Sequence, residues 1–407
     1  MSIELDDLKL SFCDWLYLKD DQIIDIVAGA VIANQFEGPD SFNLDIVGPA
    51  SSTKTEILRS LNKHKLIYTA STLTPQTLIS GMKSSSASLL TRLKEEGKKI
   101  LIVKDLTTIL EMRSESRQEI LSQIREVADG YCSKDFGTGR RVSWEGKLGF
   151  ICGVTPLIDQ HHGHNQMLGE RFLFCRVTND DPYAMAKKAK QKTGKEIKMR
   201  EELSQTMNQF LEQFEGAKIK DIDILVDTDE KLTNLACFLA QGRTGVSRDR
   251  YTRTIEYMPE PEGTARISKQ LWVLGAGIAT VQGKKVLDED VYRILRRVVE
   301  NSLPRHRGII LRRLWESMIT SEDWAVTKTI GEMVQTPTDT TKRYLEDLWV
   351  CNLLDRRIEG EDDEDNFRSN TKPYQWKLSK IGIDLIEKSE IFLSNGQPNE
   401  NGDDHET

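Results

Sequence analysis

Three stretches of the 407-residue chain carry side chains suited to a phosphorylated ligand. The first is Val47-Gly48-Pro49-Ala50-Ser51-Ser52-Thr53-Lys54-Thr55. It follows the apolar run Asn43–Val47, which reads as a buried strand, and precedes a helical pattern with Ile57, Leu58 and Leu61 on one face. A strand, a turn of small residues and a Lys-Thr pair opening a helix make a phosphate-binding loop. Backbone N–H groups of the turn point at the anion, and the helix dipole adds favourable potential. On this reading Gly48, Ser51, Ser52 and Thr53 cradle the phosphates, Lys54 reaches the terminal ones, and the Thr55 hydroxyl ligates Mg²⁺. The pattern asks for glycine before the lysine. Thr53 stands there instead and brings a β-branched side chain close to the phosphates. Taken alone, the stretch also fits an ordinary strand-to-helix turn.

The second stretch is Lys99–Asp105, in which Ile100, Leu101, Ile102 and Val103 lead to an acid. It reads as a central parallel strand with a carboxylate at its carboxyl end, the edge where open α/β sheets bind ligands. Asp105 by itself serves equally well as a cap for the next helix; downstream of a phosphate loop it becomes a second Mg²⁺ ligand. Leu106 follows where a glutamate base is expected. Thr107 and Thr108 suit the positioning of a water but are not strong bases; Glu126 and Asp129, near the end of the next helix, are the candidate substitutes. The third stretch, Leu148–Pro156, is a buried strand ending in the Thr155 hydroxyl. After it come His161-His162-Gly163-His164, which lack a nearby Cys or spaced carboxylate to complete a metal site. Gly169-Glu170-Arg171-Phe172 then leads into another apolar strand.

These residues need a framework. Hydrophobic residues make up 38% and charged residues 29% of the chain, which leaves room for two or three domains. No run approaches the roughly 20 apolar residues that span a bilayer. Met1–Leu10 carries Glu4, Asp6 and Asp7 and lacks the basic start of a signal peptide. The six cysteines show no CxxC spacing and read as buried thiols of a reducing compartment, so a cytoplasmic protein without a membrane partner is expected. A net charge of −8 argues against a general nucleic-acid coat and leaves local basic surfaces open.

Gln22–Ala33 reads as a buried helix, Leu66–Thr69 as a second strand, and the Ser/Thr-rich Ser71–Ser88 as a surface wrap. Ser114–Gly130 is an amphipathic helix. Gly137-Thr138-Gly139 sits within alternating residues and predicts a hairpin made basic by Lys134, Arg140, Arg141 and Lys147. It is either a solvated hairpin or a contact to nucleic-acid phosphates. Lysines crowd residues 187–200, and Gln241–Arg253 is rich in Gly and Arg. Two helices follow, Pro261–Ala279 with Arg266 near its start and Asp288–Asn301. After a boundary at Pro304–His306, three helices, a hairpin of Leu353–Arg357 with Tyr374–Leu378 and a last helix at Ile381–Ser389 predict a winged helix. Its third helix presents Thr338, Thr340, Thr341, Lys342 and Arg343 to DNA. Glu359, Glu361, Asp362, Asp363, Glu364 and Asp365 at the wing tip repel a DNA backbone. Winged helices also bind proteins, so DNA and a partner protein both stand.

The order of parts resembles an AAA+ P-loop ATPase core, and most of all small phage and mobile-element ATPases of the minichromosome maintenance helicase and enhancer-binding branch. The resemblance covers residues 20–300 at the level of motif order. It implies an α/β fold with an AAA+ parallel-sheet P-loop core at 41–180, after an N-terminal linker and helix at 1–40. A helical lid at 181–303, a winged-helix domain at 304–392 and a disordered tail at 393–407 complete it. ATP and Mg²⁺ are the implied cofactors. Asp105 matches the metal-side carboxylate and Thr155 the first sensor. Arg171 matches a finger that reaches a neighbouring subunit's nucleotide, where a guanidinium stabilises charge on the transferring phosphoryl group. Arg266 resembles the second sensor. The implied function is a homo-oligomeric ring of hexamer size that uses ATP hydrolysis on DNA, as a helicase or loader in replication or mobilisation. Two alternatives are an ATP switch slowed by Thr53 and Leu106 that recruits a partner, and a DNA-binding transcriptional regulator.

Overall fold

A computed structural model describes residues 2–38, 40–50, 53–82, 88–159, 171–177, 181–249, 251–318, 324–358 and 373–393. Ser51, Ser52, the histidine run, Gly169, Glu170, the acidic wing tip and the tail lie outside the described residues.

Runs of aliphatic residues build a parallel sheet in the order β2 (Ile67–Ala70), β3 (Ile100–Val103), β6 (Gly149–Val154), β1 (Leu44–Val47), β7 (Leu173–Arg176). Strands β1, β3 and β6 are buried throughout, as expected where helices cover both faces of a parallel sheet. One face carries α4 (Leu89–Glu95), α5 (Thr107–Leu110) and α6 (Ser114–Ala128), with Leu90, Ile109 and Ile124 packed among Leu101, Val103 and Phe150. The opposite face carries α2 (Gln22–Gln35) and α3 (Lys54–Ser60), with Ile24, Val31 and Leu58 beside Ile46, Ile102 and Ile151. The stretch after β2, expected to wrap the surface, instead sends Leu73, Leu78 and Ile79 into the core under α4 and α6. Apolar burial at those three positions outweighs the polar composition around them.

The predicted hairpin is present as β4 (Tyr131–Asp135) paired antiparallel with β5 (Arg141–Glu145). Gly139 takes a φ of +78° in its turn, a conformation that suits a residue without Cβ. Trp144 and Cys132 anchor the hairpin on the α6 side of the core.

A helical layer comprises α1 (Leu5–Trp15), α7 (Pro182–Gln191), α8 (Glu196–Glu212), α9 (Val226–Gly242), α10 (Thr264–Val281) and α11 (Glu289–Ser302), with the short strands β8 (Asp223–Ile224) and β9 (Val286–Leu287) paired in parallel. Helix α2 is enclosed between the sheet and α10, with every residue from Ile23 to Asn34 buried. The contact depends on glycine: a Cβ on Gly277 would lie 2.2 Å from the Gly29 carbonyl oxygen.

The C-terminal unit runs α12 (Arg305–Met318), β10 (Ala325–Val326), α13 (Thr327–Met333), α14 (Thr338–Val350), β11 (Leu354–Ile358), β12 (Tyr374–Leu378) and α15 (Lys380–Ser389). Its antiparallel sheet has the order β10-β12-β11, and Leu354 pairs with Leu378 in the expected hairpin. Trp376 fills the centre and donates to Thr327 Oγ1 at 2.8 Å. The unit is bound firmly to the helical layer. Arg307 donates to the carbonyls of Gly242 (3.2 Å) and Thr244 (2.6 Å) and pairs with Asp347 (3.1 Å). Phe238 of α9 meets Phe392 edge-on at 5.8 Å. Among the described residues no helix is long and apolar enough to cross a membrane, and all six cysteines are unpaired.

Candidate functional site

The carboxyl ends of β1, β3 and β6 are stitched together by backbone hydrogen bonds. Gly48 N–H donates to Val154 O at 3.0 Å, and Leu106 N–H to Gly153 O at 2.8 Å. Gly153 permits the approach, since a Cβ there would lie 2.6 Å from the Lys104 carbonyl oxygen. Because β6 lies between β1 and β3, Thr155 is set between the loop that follows β1 and the acid that follows β3.

Lys54 begins α3 and is 6% exposed. Its Nζ donates to the carbonyl oxygens of Gly48 and Pro49, both at 2.9 Å, folding the loop back over its own helix. Burial lowers its pKa, and the nearby Asp105 carboxylate opposes that shift. Both bonded carbonyls are neutral, so the ammonium keeps a charge that an anion can meet at short range. Thr53 has φ −62° and ψ −11°, ordinary right-handed helical values, so its backbone makes no demand for glycine. Its buried hydroxyl finds no hydrogen-bond partner among the described residues. Thr55, half-buried, follows Lys54 on α3.

Asp105 caps α5 and also faces the loop. Its Oδ1 accepts from Thr107 N–H at 3.0 Å, while Thr108 Oγ1 donates to its carbonyl oxygen at 2.9 Å. Thr107 then joins the acid to the third strand: its Oγ1 accepts from Thr155 N–H at 3.0 Å and donates to Thr155 Oγ1 at 3.3 Å. A cation, a carboxylate and linked hydroxyls therefore converge on one edge of the sheet. An orphaned buried hydroxyl at Thr53, the Lys54 charge and the Asp105 oxygens fit a phosphorylated ligand with a divalent cation, which Lys54, Thr55 and Asp105 would hold.

Of the residues suggested in place of the missing glutamate, Thr107 and Thr108 are at this edge, whereas Glu126 and Asp129 are not. Leu106 is fully buried. Glu126 sits beside Cys132, whose thiol is pushed up to about 12 by burial and by that carboxylate. Asp129 ends α6 at the amino edge of the sheet. The physical reason is direction: α6 starts near Asp105 and runs back antiparallel to the strands, carrying both acids away.

Arg171 and Arg266 are also at the amino edge, and they are together. Arg171 bonds Asp129 through Nε (3.1 Å) and Nη2 (2.8 Å), and Arg266 Nη2 lies 3.9 Å from the same carboxylate. Asn43, preceding β1, donates to the Arg171 carbonyl at 3.3 Å, and Gln270 of α10 does so at 2.7 Å. The five steps from Asn43 to Gly48 span about 16 Å at strand rise, which separates these arginines from the Lys54 loop. Asp129, Arg171, Arg266, Lys269, Gln270 and Trp272 line a cavity of about 640 Å³ there.

The four basic hairpin residues do not form a set. Lys134 pairs with Glu119. Arg140 donates to the Met82 carbonyl, and Arg141 stands exposed 4.0 Å from Asp135. Lys147 turns inward and donates to the Phe36 carbonyl at 2.8 Å, closing the end of α2; burial and the neighbouring Lys99 lower its pKa to about 8. On α14, Lys342 and Arg343 are exposed, with Lys342 Nζ 5.2 Å from the Tyr374 ring centroid. Sequence reasoning missed Asp45. It lies in the middle of β1, opposite Cys152, whose thiol is the only group at its carboxylate among the described residues. Burial pushes its pKa up to about 8. An acid inside an otherwise aliphatic strand was the available signal. Among the described residues no cluster of three His, Cys, Asp or Glu is arranged to hold a metal ion. Comparison with protein-family models and with curated proteins gave no match for this chain.

Proposed function

We propose that the protein is an oligomeric, Mg²⁺-dependent ATPase of AAA+ type that acts on DNA, with the C-terminal unit as its winged helix. The observation that carries this reading is the convergence of Lys54, Asp105 and Thr155, bridged by Thr107, at the carboxyl edge of a parallel sheet. Lys54 binds the terminal phosphates, Thr55 and Asp105 hold the metal, and Thr155 orients what approaches the phosphorus. Bound MgATP supplies the cleavable anhydride and offsets charge as it breaks. Arg171 and Arg266 sit too far from their own loop to serve it, so on this reading they face the nucleotide of the next protomer in a ring. Exposed Arg141, Lys342 and Arg343 provide cations for DNA.

One observation favours a slower variant of the same reading. Leu106 is buried, and Glu126 and Asp129 are at the opposite edge. A chain built this way binds ATP and assembles while hydrolysing slowly, and it then recruits a partner. Phosphate release measured with and without DNA separates the two: stimulation by DNA supports the motor, whereas tight ATP binding with DNA-independent, near-background release supports the switch. Lys54→Ala protein that binds ATP as well as wild type would overturn both.

A further inference from the structure

Between α9 and α10 the chain forms a projection that none of these roles uses. Arg248 and Ile255 make an isolated antiparallel bridge. Glu256 N–H donates to Ser247 O at 3.1 Å, and Asp249 N–H to Thr254 O at 2.9 Å. Asp249 organises the turn: its Oδ1 accepts from Tyr251 N–H (2.9 Å), Thr252 N–H (2.6 Å) and Thr252 Oγ1 (2.9 Å). Arg253 takes a φ of +61°, which a long side chain adopts only where its surroundings hold it. The tip presents Tyr251, 88% exposed, with exposed Thr252, Arg253 and Thr254.

Arg248 fixes this projection against α14. Its Nη1 donates to the Arg253 carbonyl (2.8 Å) and to Glu346 (3.1 Å). Its Nη2 donates to the Arg343 carbonyl (3.0 Å) and to Asp347 (2.7 Å). The main chains of Arg253 and Arg343 are thus one guanidinium apart. The cations are sorted by depth, while Asp339 in the first turn of α14 is an exposed acid. Arg248 and Arg307, beneath, are neutralised by Glu346 and Asp347. Arg253, Lys342 and Arg343, outside, form no ion pair with any described acid. Asp249 feels the Arg253 charge, but turn donors already occupy it.

We propose that the described residues of the projection, 247–249 and 251–256, and the first half of α14 form one composite surface that binds the sugar–phosphate backbone of duplex DNA. Cations on two elements, hydroxyls between them and a projecting tyrosine match a polyanion that repeats along a groove. The proposal rests on the DNA-acting role above and extends it to a segment outside the C-terminal unit.

The test uses the full chain and a labelled duplex, with anisotropy read across a salt series. Arg253→Glu is expected to weaken binding about tenfold and to reduce the slope of log affinity against log salt by about one. Arg253→Gln, which adds no repulsion, should show a smaller loss of the same kind, and Tyr251→Ala a loss with the slope retained. Lys285→Glu, an exposed change elsewhere, should bind as wild type, and melting curves show that each variant is folded. If Lys342→Glu with Arg343→Glu loses binding while both Arg253 variants and Tyr251→Ala keep wild-type affinity and slope, the composite surface is overturned and the α14 reading survives. If the wild type fails to bind duplex even at low salt, the DNA-acting role fails, and this surface fails with it.

Discussion

Arg171 holds Asp129 in a two-pronged grip, Nε to Oδ1 at 3.1 Å and Nη2 to Oδ2 at 2.8 Å. Arg266 approaches the same acid at 3.9 Å, so two guanidinium groups meet at one carboxylate. If Arg171 serves a neighbouring protomer, Arg171→Ala should abolish hydrolysis while leaving ATP binding intact. Mixing it with Lys54→Ala protein should restore part of the rate, because interfaces then form that combine an intact loop with an intact arginine. Equal loss without rescue would make Arg171 a structural partner of Asp129 only.

Thr107 tests the opposite edge without touching either charged group. Its backbone N–H donates to Asp105 and survives a change to valine or serine, while its hydroxyl alone holds Thr155; valine matches the shape without the oxygen. Thr107→Val should lower kcat about tenfold or more while KM stays within about threefold, since positioning rather than binding is lost. Thr107→Ser should recover most of the rate. A matching rise in KM, or failure of serine to rescue, would show that the hydroxyl does not position Thr155.

What the sequence made legible was local. The strand before Gly48, the aliphatic run into Asp105, the hairpin around Gly139 and the pairing of Leu354 with Leu378 all follow from period and turn chemistry within a few residues. What it hid depends on partners distant in the chain. Asp129 passed for a candidate base because its arginine partner lies 42 residues away and meets it only once α6 has run the length of the sheet. Leu73, Leu78 and Ile79 were masked by their serine and threonine neighbours. The concern over Thr53 came from a glycine rule, and its φ of −62° removes the reason for that rule here.

Asp45 links stability to pH. Its folded pKa is about 8, against about 3.9 for an unfolded aspartate. Between these values the folded chain keeps a proton that the unfolded chain has released. Folding then takes up a proton, and stability falls as pH rises from about 4 to about 8, by about 1.4 kcal/mol per unit at most. Below this window the residue contributes no pH dependence, and above it the full cost is reached. Asp45→Asn keeps the shape and cannot ionise. Its advantage in melting temperature over wild type should therefore be larger at pH 8 than at pH 5. Parallel curves for the two proteins would mean that Asp45 titrates alike in the folded and unfolded chains.

The hairpin residues should separate into two classes. Arg141 is exposed, and among the described residues Arg140 is held through the Met82 carbonyl alone, so both keep a charge that phosphates can reach. Lys147 is spent on the Phe36 carbonyl, beside Lys99, which donates to the Gln35 carbonyl at 3.3 Å. These two lysines satisfy the end of α2, where the last carbonyls of a helix lack partners within it. Arg140→Glu with Arg141→Glu should weaken DNA binding and flatten its salt dependence, because fewer counterions are released. Lys147→Met should leave DNA affinity as it was and destabilise the fold by about 1 kcal/mol, the size of one lost hydrogen bond. A DNA defect in Lys147→Met equal to that of the arginine pair would return the lysine to the interface. Unchanged binding in the arginine pair would remove the hairpin from it.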